Sequence, residues 1–121
     1  MVKPMSRAQA FRLRELKAEF FKSLAHPLRI HMLELLRDGP VNVGRLQEMT
    51  GVPASSLSQQ LTFMRSRGIL SADRHGNVVV YAIAEPDVLR LLDDARAILA
   101  AQVSDQADVL ASAPAAIGSV R

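Results

Sequence analysis

From Arg7 to Leu24 apolar residues fall at Leu13, Leu16, Phe20 and Leu24, with Phe11 and Phe21 beside them, and charged residues fill much of the rest. Spacings of three and four put such side chains on one stripe of a helix. Ala25-His26-Pro27 ends the run, because proline disfavours helix in the residue before it. Pro27 then opens a second helix at its first turn. That helix carries Ile30, Leu33 and Leu36 inward and stops near Asp38-Gly39-Pro40. A short third helix is predicted over Val43 to Thr50, with Leu46 and Met49 on one side and Gly51 at its end. After the tight link Val52-Pro53, a fourth helix runs to about Arg67, buries Leu57, Leu61 and Met64, and terminates at Gly68. Met32, Met49 and Met64 read as core residues. Residues 1–6 read as a loose start.

The period then changes. Ile69–Arg74 and Val78–Ile83 read as strands, the second rich in β-branched residues. His75-Gly76-Asn77 between them is a hairpin turn signal. From Pro86 to Val103 or beyond the pattern is helical again, with Val88, Leu91, Leu92, Ala95, Ile98, Leu99 and Val103 on one stripe. Residues 112–121, rich in Ala, Ser, Gly and Pro, read as a flexible tail. Two short helices joined through a glycine, here over 43–67, are a helix-turn-helix signature. The hairpin over 69–83 makes it a winged helix. The expected fold class is mainly α with a β-hairpin wing, in one domain over 1–111. The helices over 7–24 and 86–110 carry more apolar surface than a domain of this size hides internally. A two-fold homodimer would bury it.

Composition adds limits. A chain of 121 residues, 49% hydrophobic and 22% charged, makes one ordinary globular domain. It contains no cysteine, which excludes disulfides, thiolate metal sites and thiol redox switches. No apolar run approaches a membrane span, and the opening Met-Val-Lys-Pro-Met-Ser-Arg lacks the apolar stretch of a signal peptide. The expected location is cytoplasmic. Residues 1–81 carry twelve Lys or Arg against six Asp or Glu, a net +6, and residues 82–121 carry three Arg against six acids, a net −3; together they give the chain's +3. A basic body with an acidic end fits a polyanion partner through its first two thirds, or a simply solvated surface.

The candidate chemistry lies on the fourth helix. Opposite Leu57, Leu61 and Met64 stand Ser55, Ser56, Ser58, Gln59, Gln60, Thr62 and Arg65. Gln pairs bidentately with adenine, and Ser or Thr reaches bases or phosphates. Glu and Lys normally dominate a solvated face, so a Ser/Gln cluster favours base reading by Ser56, Gln59 and Gln60. Ser55 either reads or caps the helix start; Ser58 either reads or packs at a helix crossing. Arg45, Thr62, Arg65 and Arg67 are expected backbone contacts, with Arg74, His75 and Asn77 at the wing. Lys17, Lys22 and Arg29 read as solvating residues, and Tyr81 as packing the wing on the body.

The block Phe20-Phe21-Lys22-Ser23-Leu24-Ala25-His26-Pro27-Leu28-Arg29-Ile30 resembles the opening of the ArsR/SmtB family of small winged-helix repressors. So does Ser55-Ser56-Leu57-Ser58-Gln59-Gln60-Leu61-Thr62-Phe63-Met64-Arg65. Gly68-Ile69-Leu70, then Arg74-His75-Gly76-Asn77 and Tyr81, resemble its wing. The resemblance covers roughly residues 15–102. It implies four helices, a β-hairpin and a final helix, with a homodimer built from the first and last helices. The interface would then hold Leu13, Leu16, Phe20, Val88, Leu91, Leu92, Ala95, Ile98 and Leu99. It also implies promoter binding, on double-stranded DNA, that represses until an effector, small molecule or protein, favours the DNA-incompetent dimer by ~1–3 kcal/mol. Two reading heads on a two-fold axis predict an inverted-repeat operator.

The resemblance also raises metal sensing. The family's Cys-x-Cys positions correspond to Asn42 and Gly44, and its last-helix ligands to Glu85, Asp87, Ile98 and Ala101. Two oxygen ligands remain where zinc favours four including nitrogen or sulfur. No metal and no cofactor is therefore expected. The histidines His26, His31 and His75 do not cluster, and His26 reads as a residue that caps or packs rather than ligates. Asp93, Asp94, Asp105 and Asp108 read as a solvated face; a metal-responsive repressor using such non-cysteine ligands is the alternative. An enzyme is not supported, since there is no phosphate loop, nucleophile elbow or His-Glu metal pair, and no catalytic residue is expected. A protein-docking winged helix would favour Tyr, Trp and Arg on the fourth helix, which has Phe63 as its one aromatic residue. RNA binding would favour aromatic platforms, yet aromatics are 4% of the chain.

Overall fold

The structure, a computed structural model, describes residues 3–102. Its elements in chain order are α1 (Arg7–Leu24), α2 (Pro27–Leu35), β1 (Val41–Asn42), α3 (Val43–Thr50), α4 (Ala54–Ser66), β2 (Leu70–His75), β3 (Val78–Ile83) and α5 (Asp87–Gln102). The expected extension of the last helix to 110, with Val103, Asp105 and Asp108, and the tail over 112–121 lie outside the described residues. Among the described residues no helix is long and apolar enough to cross a membrane.

The helix starts follow from short polar side chains. The chain is already organised at Ser6. Its hydroxyl accepts from the Gln9 N–H at 3.1 Å while the Gln9 side chain accepts from the Ser6 N–H at 2.9 Å, a reciprocal cap that satisfies donors the first turn leaves open. His26 caps α2, its Nδ1 accepting from the Leu28 N–H at 3.1 Å with Pro27 next in the chain. Asn42 caps α3 through the Arg45 N–H at 2.8 Å. Gly51 closes α3 at φ 69°, a left-handed conformation that glycine adopts without a Cβ penalty. α4 starts after Pro53 with no side-chain cap. Ser55 lies inside the first turn, so its expected capping role is not the one it has.

The core gathers one face from almost every element. Met32, Leu33 and Leu36 come from α2 and its end, Leu46 from α3, and Leu57, Leu61 and Met64 from α4. They meet Ile69, Leu70, Tyr81 and Val88. Three expectations are corrected here. Ile30 is only half-buried, while Met32 and Leu33 hold the interior of α2 as expected. Met49 is 38% exposed, because α3 is short and Leu46 alone fills its inner face. Val88 is 1% exposed within the protomer itself, so it belongs to this core and not to a dimer surface.

β2 and β3 pair antiparallel, with His75 opposite Val78. The turn is thus Gly76-Asn77, one residue shorter than its sequence signal, with Gly76 at φ 66°. β1 adds a strand the sequence does not announce, since two residues have no period to read. It pairs Val41 with Tyr81 and Asn42 with Val80, giving the sheet order β1-β3-β2. The same Asn42 that caps α3 therefore also stands in the ladder opposite Val80, which ties the hairpin to the start of the helix-turn-helix. At the other end Arg37 grips Asp93 of α5 with two hydrogen bonds, 2.7 and 3.3 Å. Asp93 is thereby a tether between α2 and α5, not a solvated acid. Beside it, burial raises the Glu34 carboxyl above its ordinary range, against the opposing pull of His31 and Arg37.

Candidate nucleic-acid interface

With Leu57, Leu61 and Met64 facing inward, the helical period of ~100° per residue sorts the rest of α4 into three rows. Directly outward stand Ser55, Gln59 and Thr62, all exposed. On the wing side stand Ser58 and Arg65, also exposed. On the side toward α2 stand Ser56, Gln60 and Phe63, all half-buried. The seven polar positions predicted as one surface are thus split. Ser55, Gln59 and Thr62 form an uncharged ridge of short and medium side chains that can reach a groove floor.

Gln60 is not free to join that ridge. Its Oε1 accepts from Arg29 Nε at 2.7 Å. Gln60 thus ties α4 to α2 through its carbonyl oxygen, and its amide N–H groups are what it has left to offer a base. Arg29, read from sequence as a solvating residue, also lies with its Cζ 3.9 Å from the Phe63 ring centroid. A partner 31 positions away leaves no local pattern, so neither residue's role is readable from spacing.

The cations flanking the ridge differ in what holds them. Among the described residues Arg65 and Arg74 carry no ion pair. Both line the same small recess against Ala72, Asp73 and Val79. A wider cleft of about 580 Å³ lies between the wing and the helix-turn-helix, with Asn42, Ser58, Arg74, Asn77 and Tyr81 in its walls. Tyr81 is buried and fixes the wing's base. Arg45 pairs with Glu48 at 3.4 Å and Arg67 with Glu19 at 3.8 Å, so part of the charge of each is already offset by a neighbouring carboxylate. His75 lies 3.2 Å from Asp73 at the exposed hairpin end. Two guanidinium groups without an ion pair beside an uncharged ridge suit an anionic polymer, where cations can set position and uncharged polar side chains can discriminate.

A second surface is apolar. Phe11, Leu13, Leu16 and Phe21 of α1 are exposed, as are Leu91, Ile98 and Leu99 of α5. Ala95 is exposed with them, whereas Phe20 and Leu92 are half-buried against the protomer's own core. Between the two helices an apolar groove of about 400 Å³ is lined by Phe21, Leu24, Ile30, Leu91, Leu92 and Ile98. Among the described residues no three His, Asp or Glu side chains come together as a metal site.

Residues 26–72 match the family model described as "Bacterial regulatory protein, arsR family". The chain is 50% identical over 99 residues to the uncharacterized HTH-type transcriptional regulator Rv0081 of Mycobacterium tuberculosis, covering 81% of this chain and 87% of that protein. The crystal structure of Rv0081 superposes with a TM-score of 0.70 at 49% identity, over 78% of this chain and 96% of that one. The transcriptional repressor BigR from Xylella fastidiosa superposes with a TM-score of 0.64 at 29% identity, over 80% and 96% of the two chains.

Proposed function

The chain belongs to the arsR family of bacterial regulatory proteins, and we propose that it is a dimeric transcriptional repressor that reads double-stranded DNA through α4. The observation that carries this reading is the exposed, uncharged row Ser55, Gln59 and Thr62, backed by three buried apolar residues and flanked by Arg65 and Arg74. α4 enters a major groove, and the wing carrying Arg74, His75 and Asn77 grips the adjacent backbone. The exposed apolar faces of α1 and α5 join two protomers, whose reading helices meet an inverted repeat. Occupying promoter DNA in the cytoplasm blocks transcription. The relatives' printed names, transcriptional regulator and transcriptional repressor, support the same reading. No catalytic step is needed for it.

Gln59→Ala tests the base-reading role. It removes ~1–3 kcal/mol of operator binding in a fluorescence-anisotropy titration while binding to scrambled duplex stays nearly constant. Equal losses on both duplexes would refute it. Arg65→Ala weakens both duplexes and lowers the slope of log affinity against log salt by about one, because one phosphate contact is gone. An unchanged slope removes Arg65 from the backbone contacts.

A further inference from the structure

Arg29 joins three helices through one guanidinium. Nε donates to the Gln60 side chain of α4 at 2.7 Å. Nη1 donates to the carbonyls of Lys22 and Ser23, in the last turn of α1, at 3.3 and 3.4 Å. The planar group lies over Phe63, one turn along α4 from Gln60. On the same ring, at 4.9 Å, sits Arg67, which reaches back to Glu19 of α1 at 3.8 Å. Both connections from the flank of α4 thus run to α1.

We infer that Arg29 is a positioning residue for DNA reading: with Gln60 as its acceptor, it fixes the rotation of α4 against the end of α1. The inference rests on α4 being the reading helix. A guanidinium only donates, so it must meet the carbonyl end of the Gln60 amide and turns that end inward. Its rigid fork spans two directions at once, toward α1 and toward α4, which a single ammonium on a flexible stem does not. Rotating α4 by a few degrees moves Ser55, Gln59 and Thr62 together relative to a groove floor. Small displacements of that kind weaken bidentate pairing with bases, whereas contacts to a uniform phosphate backbone tolerate them. α1 also presents exposed Phe11, Leu16 and Phe21. The packing of a second protomer on α1 and the attitude of α4 therefore share this joint.

The test uses the full chain and a duplex recovered from a random library by selection with the native protein. Affinity is measured for that duplex and for its scrambled version across a salt series, with circular dichroism confirming that each variant is folded. Arg29→Ala loses about tenfold or more of the preference for the selected duplex, affinity for scrambled duplex changes little, and the salt slope is unchanged. Arg29→Lys does not restore the preference. Gln60→Glu retains it, because a carboxylate accepts from the guanidinium as the amide carbonyl does; Gln60→Leu loses it. If Arg29→Ala does not fold, the two Gln60 variants and Arg29→Lys decide the matter alone. Equal losses in Gln60→Glu and Gln60→Leu would make Gln60 a base reader through its amide protons and overturn the inference. A slope lowered by one in Arg29→Ala would make Arg29 a phosphate contact, with the same consequence. A native protein that yields no preferred duplex at all would instead remove the premise, the reading role of α4, and the inference with it.

Discussion

Ile98→Glu produces monomers at concentrations where the native chain is a dimer, and operator affinity falls by about 10²–10⁴-fold. Ile98 is 56% exposed in the protomer and stands with Leu91 and Leu99 on the open side of α5. A carboxylate there meets water in the monomer and disturbs little. Buried against a second α1–α5 face it loses its water and displaces apolar contact, and the desolvation penalty for a buried ion is several kcal/mol. The loss on DNA follows from linkage. Two reading helices held together make the second half-site an intramolecular event, and separating them removes the 10²–10⁴-fold gain such coupling provides. Light scattering and anisotropy on one preparation check both parts. Monomers must remain folded, with a thermal midpoint close to the native value at low protein concentration. A dimer that persists would move the interface away from α5. Val88→Glu would not serve: that position is in the protomer's own core, 1% exposed, and its failure would report unfolding.

Leu57→Ala lowers the unfolding free energy by ~2–5 kcal/mol, the range for truncating a fully buried leucine when the surrounding structure closes only partly on the cavity. Leu57 is wholly buried in α4, one turn from Leu61 and directly behind Ser55 and Gln59. Urea denaturation followed by circular dichroism measures the loss. With ~5–15 kcal/mol of total stability in a domain of ordinary size, the variant stays mostly folded in the cold and loses operator binding on warming before the native chain does. A loss below ~1 kcal/mol would mean that the core behind α4 is not packed as described.

The helices and the hairpin were legible because each carries a local signal. Apolar stripes gave α1 and α4 their extents, and the left-handed residues at Gly51, Gly68 and Gly76 stand where the turns were read. Proline before a helix and glycine after it are properties of one or two residues, which a sequence displays directly. The candidate site was legible as a cluster and illegible in its division. Ser56 and Gln60 share α4 with Ser55 and Gln59, and spacing alone does not say which flank another helix covers. That depends on Arg29, whose partners lie in two other elements. Val88 failed for a related reason. A stripe shows which face of a helix is apolar, not whether the protomer or a second copy covers each position along it. Ser6 stands two residues after Pro4 in a stretch with no apolar period, which hides its capping role, and the two residues of β1 are too few to alternate visibly.

The three-stranded order β1-β3-β2 bears on how such a chain behaves when crowded. A sheet edge with unpaired amides is a template for another chain's strand, and a slender protruding hairpin is the kind of element through which proteins stack into fibres. Here the inner edge is occupied at its base by β1. The outer edge is β2, whose far half reads Asp73-Arg74-His75. Charged side chains along an exposed edge discourage strand addition, and a second copy laid parallel and in register would set Asp73 against Asp73 and Arg74 against Arg74. The hairpin can therefore project from the body without offering its neighbours an inviting edge for an added strand.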